Sequence, residues 1–145
     1  MRILGLDVGS KTIGVAISDA LKITAQGITT IHWDEHDMSS ADRELSELIH
    51  EHEVSEIIVG LPKNMDGTIG ERGEISQIYA RRIGRKFDLP VHLVDERLST
   101  VAAERTLIEA DVSRKGRKKV IDKMAAVVIL QTYLDQESIG GLQWV

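Results

Sequence analysis

Ile3-Leu4-Gly5-Leu6-Asp7-Val8-Gly9-Ser10-Lys11-Thr12-Ile13-Gly14-Val15-Ala16-Ile17-Ser18 decides the fold. Two short apolar runs, Ile3 to Val8 and Ile13 to Ser18, flank Gly9-Ser10-Lys11, which has turn chemistry. That pattern predicts a β-hairpin. A third strand is expected over Gln26 to His32, where Ile28 and Ile31 bracket two β-branched threonines, and Trp33 to Met38 ends the run of strands.

Helical spacing begins only after these strands. Leu45, Leu48, Ile49 and His52 recur at helical intervals, with Ser39 or Ser40 as the expected N-cap and Asp42 and Glu44 suited to the positive end of the dipole. The helix is expected to end near Glu53. Glu56-Ile57-Ile58-Val59-Gly60 reads as a buried central parallel strand, stopped at Leu61-Pro62 and followed by a long loop, Lys63 to Gly73, bent at Asp66-Gly67. Ile75, Ile78, Tyr79, Ile83 and Phe87 mark a second helix, and Asp88-Leu89-Pro90 closes it. Val91 to Val94 is a fifth strand. Ser99 then caps a helix running to about Ala110, a basic loop follows, and a last helix spans about Val120 to Gln136. The order βββαβαβαα predicts an α/β fold: a mixed five-stranded sheet, three antiparallel strands and then βαβαβ, with helices on both faces. Residues 1–137 are expected to form one domain and residues 138–145 a short flexible tail.

The chain has 145 residues, 42% of them apolar and 28% charged, which suits a single core that buries roughly two thirds of the unfolded surface. With no cysteine, disulfides, thiolate nucleophiles and thiolate zinc sites are excluded, and any metal must sit on oxygen or imidazole. The carboxylate at Asp7 comes too early for a signal peptide, and the longest apolar run, Ala125 to Leu130, is too short to span a bilayer. A cytoplasmic protein with no membrane contact is expected.

Net charge is −5, yet the acidity is local. Asp34 to Glu56 contains nine acidic residues with Arg43 as the one cation, a pattern expected of a solvated helix face. By contrast, Arg114-Lys115-Gly116-Arg117-Lys118-Lys119 puts five positive charges in six residues. Aromatic residues are only 3% and none alternates with this cluster, so contact with backbone phosphates is favoured over base stacking. A solvated loop is the alternative. The five histidines show no spacing that converges on a metal.

Three carboxylates stand where apolar side chains are expected. Asp7 ends the first strand, where it either serves a site or bonds the amides of its own turn. Asp95-Glu96-Arg97 ends the fifth strand, at the edge where open α/β sheets place their sites, with a local salt bridge as the alternative. On a helix, Asp122 shares a face with the apolar Ala125, Ala126, Ile129 and Tyr133, so it is either buried toward the core or held at a helix N-terminus. Should Asp7, Glu96 and Asp122 converge, three like charges within about 4–6 Å would resist ionisation unless a divalent cation neutralised them. Magnesium prefers such oxygen donors and keeps open positions for phosphate oxygens, which is the chemistry of a nuclease.

Asp7-Val8-Gly9-Ser10-Lys11-Thr12-Ile13-Gly14, Val59-Gly60-Leu61-Pro62-Lys63-Asn64-Met65-Asp66-Gly67, Asp95-Glu96-Arg97-Leu98-Ser99-Thr100 and Ile121-Asp122-Lys123-Met124-Ala125-Ala126 resemble the four signature blocks of the YqgF/RuvX family. These are bacterial relatives of Holliday-junction resolvases with an RNase H-like fold. The blocks occur in order over residues 1–135. The resemblance implies a nuclease dependent on magnesium or manganese that acts in maturation of the 5′ end of the 16S ribosomal RNA precursor. Asp7, Glu96 and Asp122 match the family's acidic positions, with Asp95 as the alternate to Glu96. Resolvases proper carry a further acid at the end of the fourth strand, where this chain has Gly60 and Leu61, so structured DNA is the alternative substrate. Lys11, Lys63, Asn64 and Arg97 are candidate substrate contacts together with Arg114, Lys115, Arg117, Lys118 and Lys119. Expected partners are precursor ribosomal RNA and ribosomal particles, with the chain a monomer or a homodimer.

Two rival readings remain. A phosphotransferase is suggested by the Asp7-x-Gly hairpin but needs a second phosphate loop and a second domain, for which 145 residues leave no room. The other is a nucleic-acid- or ribosome-binding module without turnover.

Overall fold

A computed structural model describes residues 1–96 and 124–137. Strands β1 (Arg2–Val8), β2 (Thr12–Ser18) and β3 (Ala25–His32) form an antiparallel meander. Helix α1 (Asp42–Glu51) leads to β4 (Val54–Leu61), α2 (Glu71–Phe87) to β5 (Val91–Asp95), and residues 124–137 form α3. The strand order is β3-β2-β1-β4-β5, with β4 parallel to both β1 and β5. The expected mixed five-stranded sheet is therefore present, and β1 sits at its centre.

Alternation along the strands divides the core in two. Leu4, Leu6 and Val8 of β1 join Ile57 and Val59 of β4 and pack on Leu45 of α1 and Tyr79, Ala80 and Ile83 of α2. On the opposite face, Ile3, Ala16, Ile58 and Val94 pack on Ala125, Ala126, Ile129, Leu130 and Leu134 of α3. Strands buried on both faces need apolar residues at successive positions, which explains the unbroken run in β4.

Glycines on the sheet bring α3 close to it. A Cβ at Gly5 would stand 2.8 Å from Leu130 Cβ, and one at Gly60 would stand 2.5 Å from Ile129 Cδ1. Glycine at these positions lets the helix lie directly on the sheet. Gly5 faces Ala126 and Leu130, while Ile3, one step earlier on that face, borders a cavity with Tyr133 and Leu134. Helix α3 thus runs antiparallel to β1, and its N-terminal end lies toward the carboxyl end of the strand.

Three expectations need correction. Neither Ser39 nor Ser40 caps α1: a short 3-10 turn, Met38–Ala41, precedes it, and Ala41 holds the cap position without a side-chain bond. Both hydroxyls close the preceding turn instead, since Ser40 Oγ accepts from Asp34 N–H at 2.9 Å and Ser39 Oγ donates to Asp37 Oδ1 at 2.5 Å. The second helix begins at Glu71, so the loop after β4 is shorter than expected. Finally, the acidic stretch is only partly a solvated face. Glu44, Glu47, Glu51 and Glu53 are exposed, whereas Asp42 pairs with Arg82 at 2.5 Å and Lys86 at 3.7 Å, Glu35 pairs with Arg72, and Glu56 pairs with His92 at 2.9 Å. Composition records charge density but not which acids meet a partner across the fold.

Candidate active site

Asp7 is the penultimate residue of β1 and is buried at 6% exposure. It follows Ile3 and Gly5 on the α3 face, so the same pleat that buries those residues directs the Asp7 carboxylate to that side. Its partner in register on β2 is Gly14, which adds no side chain beside it. On β4, Leu6 is opposite Val59, so the next position along is Gly60, which in turn pairs with Val94 of β5.

Glu96 follows β5 directly. Its Oε1 lies 2.8 Å from where a Gly60 Cβ would be, so the carboxylate occupies space that any larger residue would take. Asp7 and Glu96 are thus carried to one face, at the carboxyl ends of β1 and β5, on either side of Gly60. Asp95 is one residue out of phase. Its carboxylate lies 3.5 Å from Lys63 Nζ, at the start of the loop after β4.

The turn beside Asp7 is held from outside. Gly9 N–H donates to Thr12 O at 2.8 Å, so that amide closes the hairpin rather than turning to a side chain. Trp33 Nε1 donates to Gly9 O at 2.9 Å, Trp33 N–H donates to Lys11 O at 3.0 Å, and Arg72 Nη2 donates to Val8 O at 3.2 Å. Arg72 is itself gripped by Glu35. Sequence reasoning missed Trp33, Glu35 and Arg72. They approach the turn from β3 and α2, and no spacing along the chain announces a contact between positions 37 apart.

The remaining candidates are placed as follows. Lys11 is exposed at the tip of the hairpin and lines a cleft of about 290 Å³ with Ser10, Trp33, Asp34, Glu35 and His36. Asn64 shapes its own loop: its N–H donates to Thr68 O, its side-chain amide donates to Thr68 Oγ1, and its carbonyl accepts from Gly67 N–H, each at 2.9 Å. The bend expected at Asp66-Gly67 is present, with Gly67 at φ 90 and Asp66 Oδ1 accepting from Thr68 N–H. Asp122, Arg97, Arg114, Lys115, Arg117, Lys118 and Lys119 lie outside the described residues, as do the Ser99-capped helix and residues 138–145. Among the described residues, no cluster of three His, Asp or Glu side chains suits a metal, and no helix is long and apolar enough to cross a membrane.

Similarity to known proteins follows the same geometry. Thermus thermophilus RuvC in complex with a Holliday junction substrate matches with a TM-score of 0.63 at 12% identity, over 97% of this chain and 96% of that one. The fowlpox virus Holliday junction resolvase matches with a TM-score of 0.55 at 15% identity, over 94% of this chain and 99% of that one. At such identities the likeness establishes the fold, which is RNase H-like. Much nearer in sequence are proteins named "Putative pre-16S rRNA nuclease": one from Oceanobacillus iheyensis is 69% identical over 94% of this chain and 100% of its own length, and one from Listeria monocytogenes is 63% identical over 93% and 98%. The model of the RuvX family, described as Holliday junction resolvase, matches residues 1–136. With the family model matching nearly the whole length and relatives 69% and 63% identical, this chain belongs to the RuvX family.

Proposed function

We propose that the protein is a nuclease that hydrolyses phosphodiester bonds in nucleic acid, with the 16S ribosomal RNA precursor as its substrate in the cytoplasm. The observation that carries this reading is the placement of the Asp7 and Glu96 carboxylates on one face, around the bare backbone of Gly60. The names of the sequence relatives support it.

The donor set suits a hard divalent cation, magnesium or manganese: it consists of carboxylate oxygens, and the missing Cβ of Gly60 is what lets the Glu96 carboxylate take its place. Asp7 and Glu96 would hold the ion. Asp122 is the third carboxylate by the sequence reading, from the face it shares with Ala125, Ala126 and Ile129, and the described part of α3 runs with its N-terminal end toward the same strand ends. When bound, such a cation neutralises the carboxylates and lowers the pKa of an attacking water. The chain's own residues set the frame for it. Burial and the externally held turn fix Asp7, so little reorganisation is needed when substrate arrives. Lys63 offsets the charge of Asp95 and keeps it apart from the pair, which favours Glu96 over Asp95 as the ligand. Lys11, at the exposed tip, is placed to meet a phosphate.

The test is cleavage of precursor ribosomal RNA, single-stranded RNA and a four-way DNA junction, with magnesium or manganese and then with EDTA, beside Asp7→Asn. Cutting should require the metal and fall about 10³-fold in the variant, as expected when several kcal/mol of charge stabilisation are lost, while RNA binding persists. Cleavage that is unchanged in Asp7→Asn would refute this site. Preferential cutting of the junction would replace the proposed substrate with structured DNA.

A further inference from the structure

Helix α2 carries four cations in its second half, and they divide into two pairs. Arg82 and Lys86 turn to Asp42 of α1. Arg81 and Arg85 are exposed, and neither meets a carboxylate or another hydrogen-bond acceptor among the described residues. Four residues apart, they stand on one side of the helix, about 6 Å from each other along its axis. With Gln77 they line a groove of about 300 Å³ between α2 and β5, floored by Gly84, Val91 and Leu93. A Cβ at Gly84 would stand 3.3 Å from Val91 Cγ2, so glycine there keeps helix and strand close. Leu93 is 41% exposed, and β5 is an edge strand.

Among the described residues, the lining combines an apolar floor with two cations that meet no acid. Glu71 and Glu74, the acids within α2, lie in its first turn. In a chain of net charge −5, two exposed cations side by side in a groove point to an anionic occupant. A sugar–phosphate backbone offers both the charge and the apolar sugar faces. A second copy docked here about a two-fold axis would set these arginines against themselves. Leu93 faces α2 whereas Val94 and Glu96 face α3, so the groove lies across the β5 edge of the sheet from the acidic site, three residues from Glu96 along the chain.

We propose that the groove between α2 and β5 is a second nucleic-acid contact, in which Arg81 and Arg85 hold the backbone of a substrate strand beyond the point of cleavage. This rests on the nuclease reading above for the identity of the strand. The experiment measures binding of single-stranded RNAs of ~10 and ~30 nucleotides across a range of salt, because a compact groove of this kind occupies roughly 4–16 nucleotides. Wild type is compared with R81Q/R85Q, with R81E/R85E, and with R43E, which has the same net charge as the glutamine pair but alters exposed α1. Cleavage of the short RNA is followed in parallel. Affinity for the long RNA should fall about tenfold in R81Q/R85Q and further in R81E/R85E. The salt dependence should flatten by about 1.4, roughly 0.7 for each lost phosphate contact. Binding and cleavage of the short RNA should be unchanged, and R43E should resemble wild type. Long-RNA binding in R81Q/R85Q that matches R43E overturns the proposal. So does a wild-type dimer that R81Q/R85Q converts to monomer with both RNAs weakened alike, since the groove would then be a contact between copies. Absent cleavage with the binding differences intact would remove the hydrolytic reading and leave the groove standing. Cleavage without those differences would do the reverse.

Discussion

Gly60 matters for what it lacks. The Cβ of an alanine there would meet Ile129 Cδ1 at 2.5 Å and Glu96 Oε1 at 2.8 Å, both at the far ends of side chains that can rotate away. Gly60→Ala should therefore fold with a modest loss of Tm, while displacement of the Glu96 carboxylate lowers cleavage by about 10²-fold, the scale expected for a misplacement of about 1 Å. Equal losses in thermal melting and in turnover would contradict this account. The two carboxylates themselves were legible in the sequence, because an acid at the end of an apolar run is out of place there. Which of Asp95 and Glu96 turns to the Asp7 face depends on the phase of the pleat, and Lys63 reaches Asp95 from the loop after β4, a contact that spacing does not announce. The outside support of the hairpin turn was equally hidden, because it depends on where the β3 and α2 ends lie in space.

Elements were easier to read than contacts between them. Every strand falls close to where its run predicted, and in β1, β2 and β4 burial on both faces leaves few polar positions to blur the pattern. The N-terminus of α1 was misread because Ser39 and Ser40 have the chemistry of a cap, and only the fold shows that their hydroxyls close the Asp34 turn. The seam between β1 and α3 is also an element-scale property. At Gly5 the obstacle to a Cβ is Leu130 Cβ, at 2.8 Å, fixed close to the helix backbone and unable to swing aside. Gly5→Ala should thus push α3 off the sheet and cost about 1–3 kcal/mol, measured by denaturant unfolding. A neutral result would mean that the helix slides without penalty.

For the whole molecule, pH tests how the two faces are held. The chain has two tyrosines, one on each side of the sheet. Burial, with the nearby Asp42 charge adding to it, pushes the Tyr79 phenol well above its ordinary value; burial and then the Glu56 and Glu137 charges push Tyr133 up to about 12. In both cases the folded state holds the proton more tightly than the unfolded chain. The associated stability is complete below pH about 10 and is lost as pH rises toward 12. Tm should fall across that window, with phenolate absorbance appearing together with unfolding, and Tyr133→Phe should flatten the fall. Phenolate that formed while the fold stayed intact would argue that these rings are open to water.

The docking of α3 also imposes an order in time. Gln131 Oε1 accepts from Ala25 N–H, 106 residues earlier in the chain, and the helix that covers the Asp7 face leaves a translating ribosome after all five strands. At about 5–20 residues per second, the five strands are available for pairing some seconds before that helix is. The nascent chain therefore passes through an interval in which the sheet can form while its Asp7 face is bare, so that face is covered only after the strands have paired.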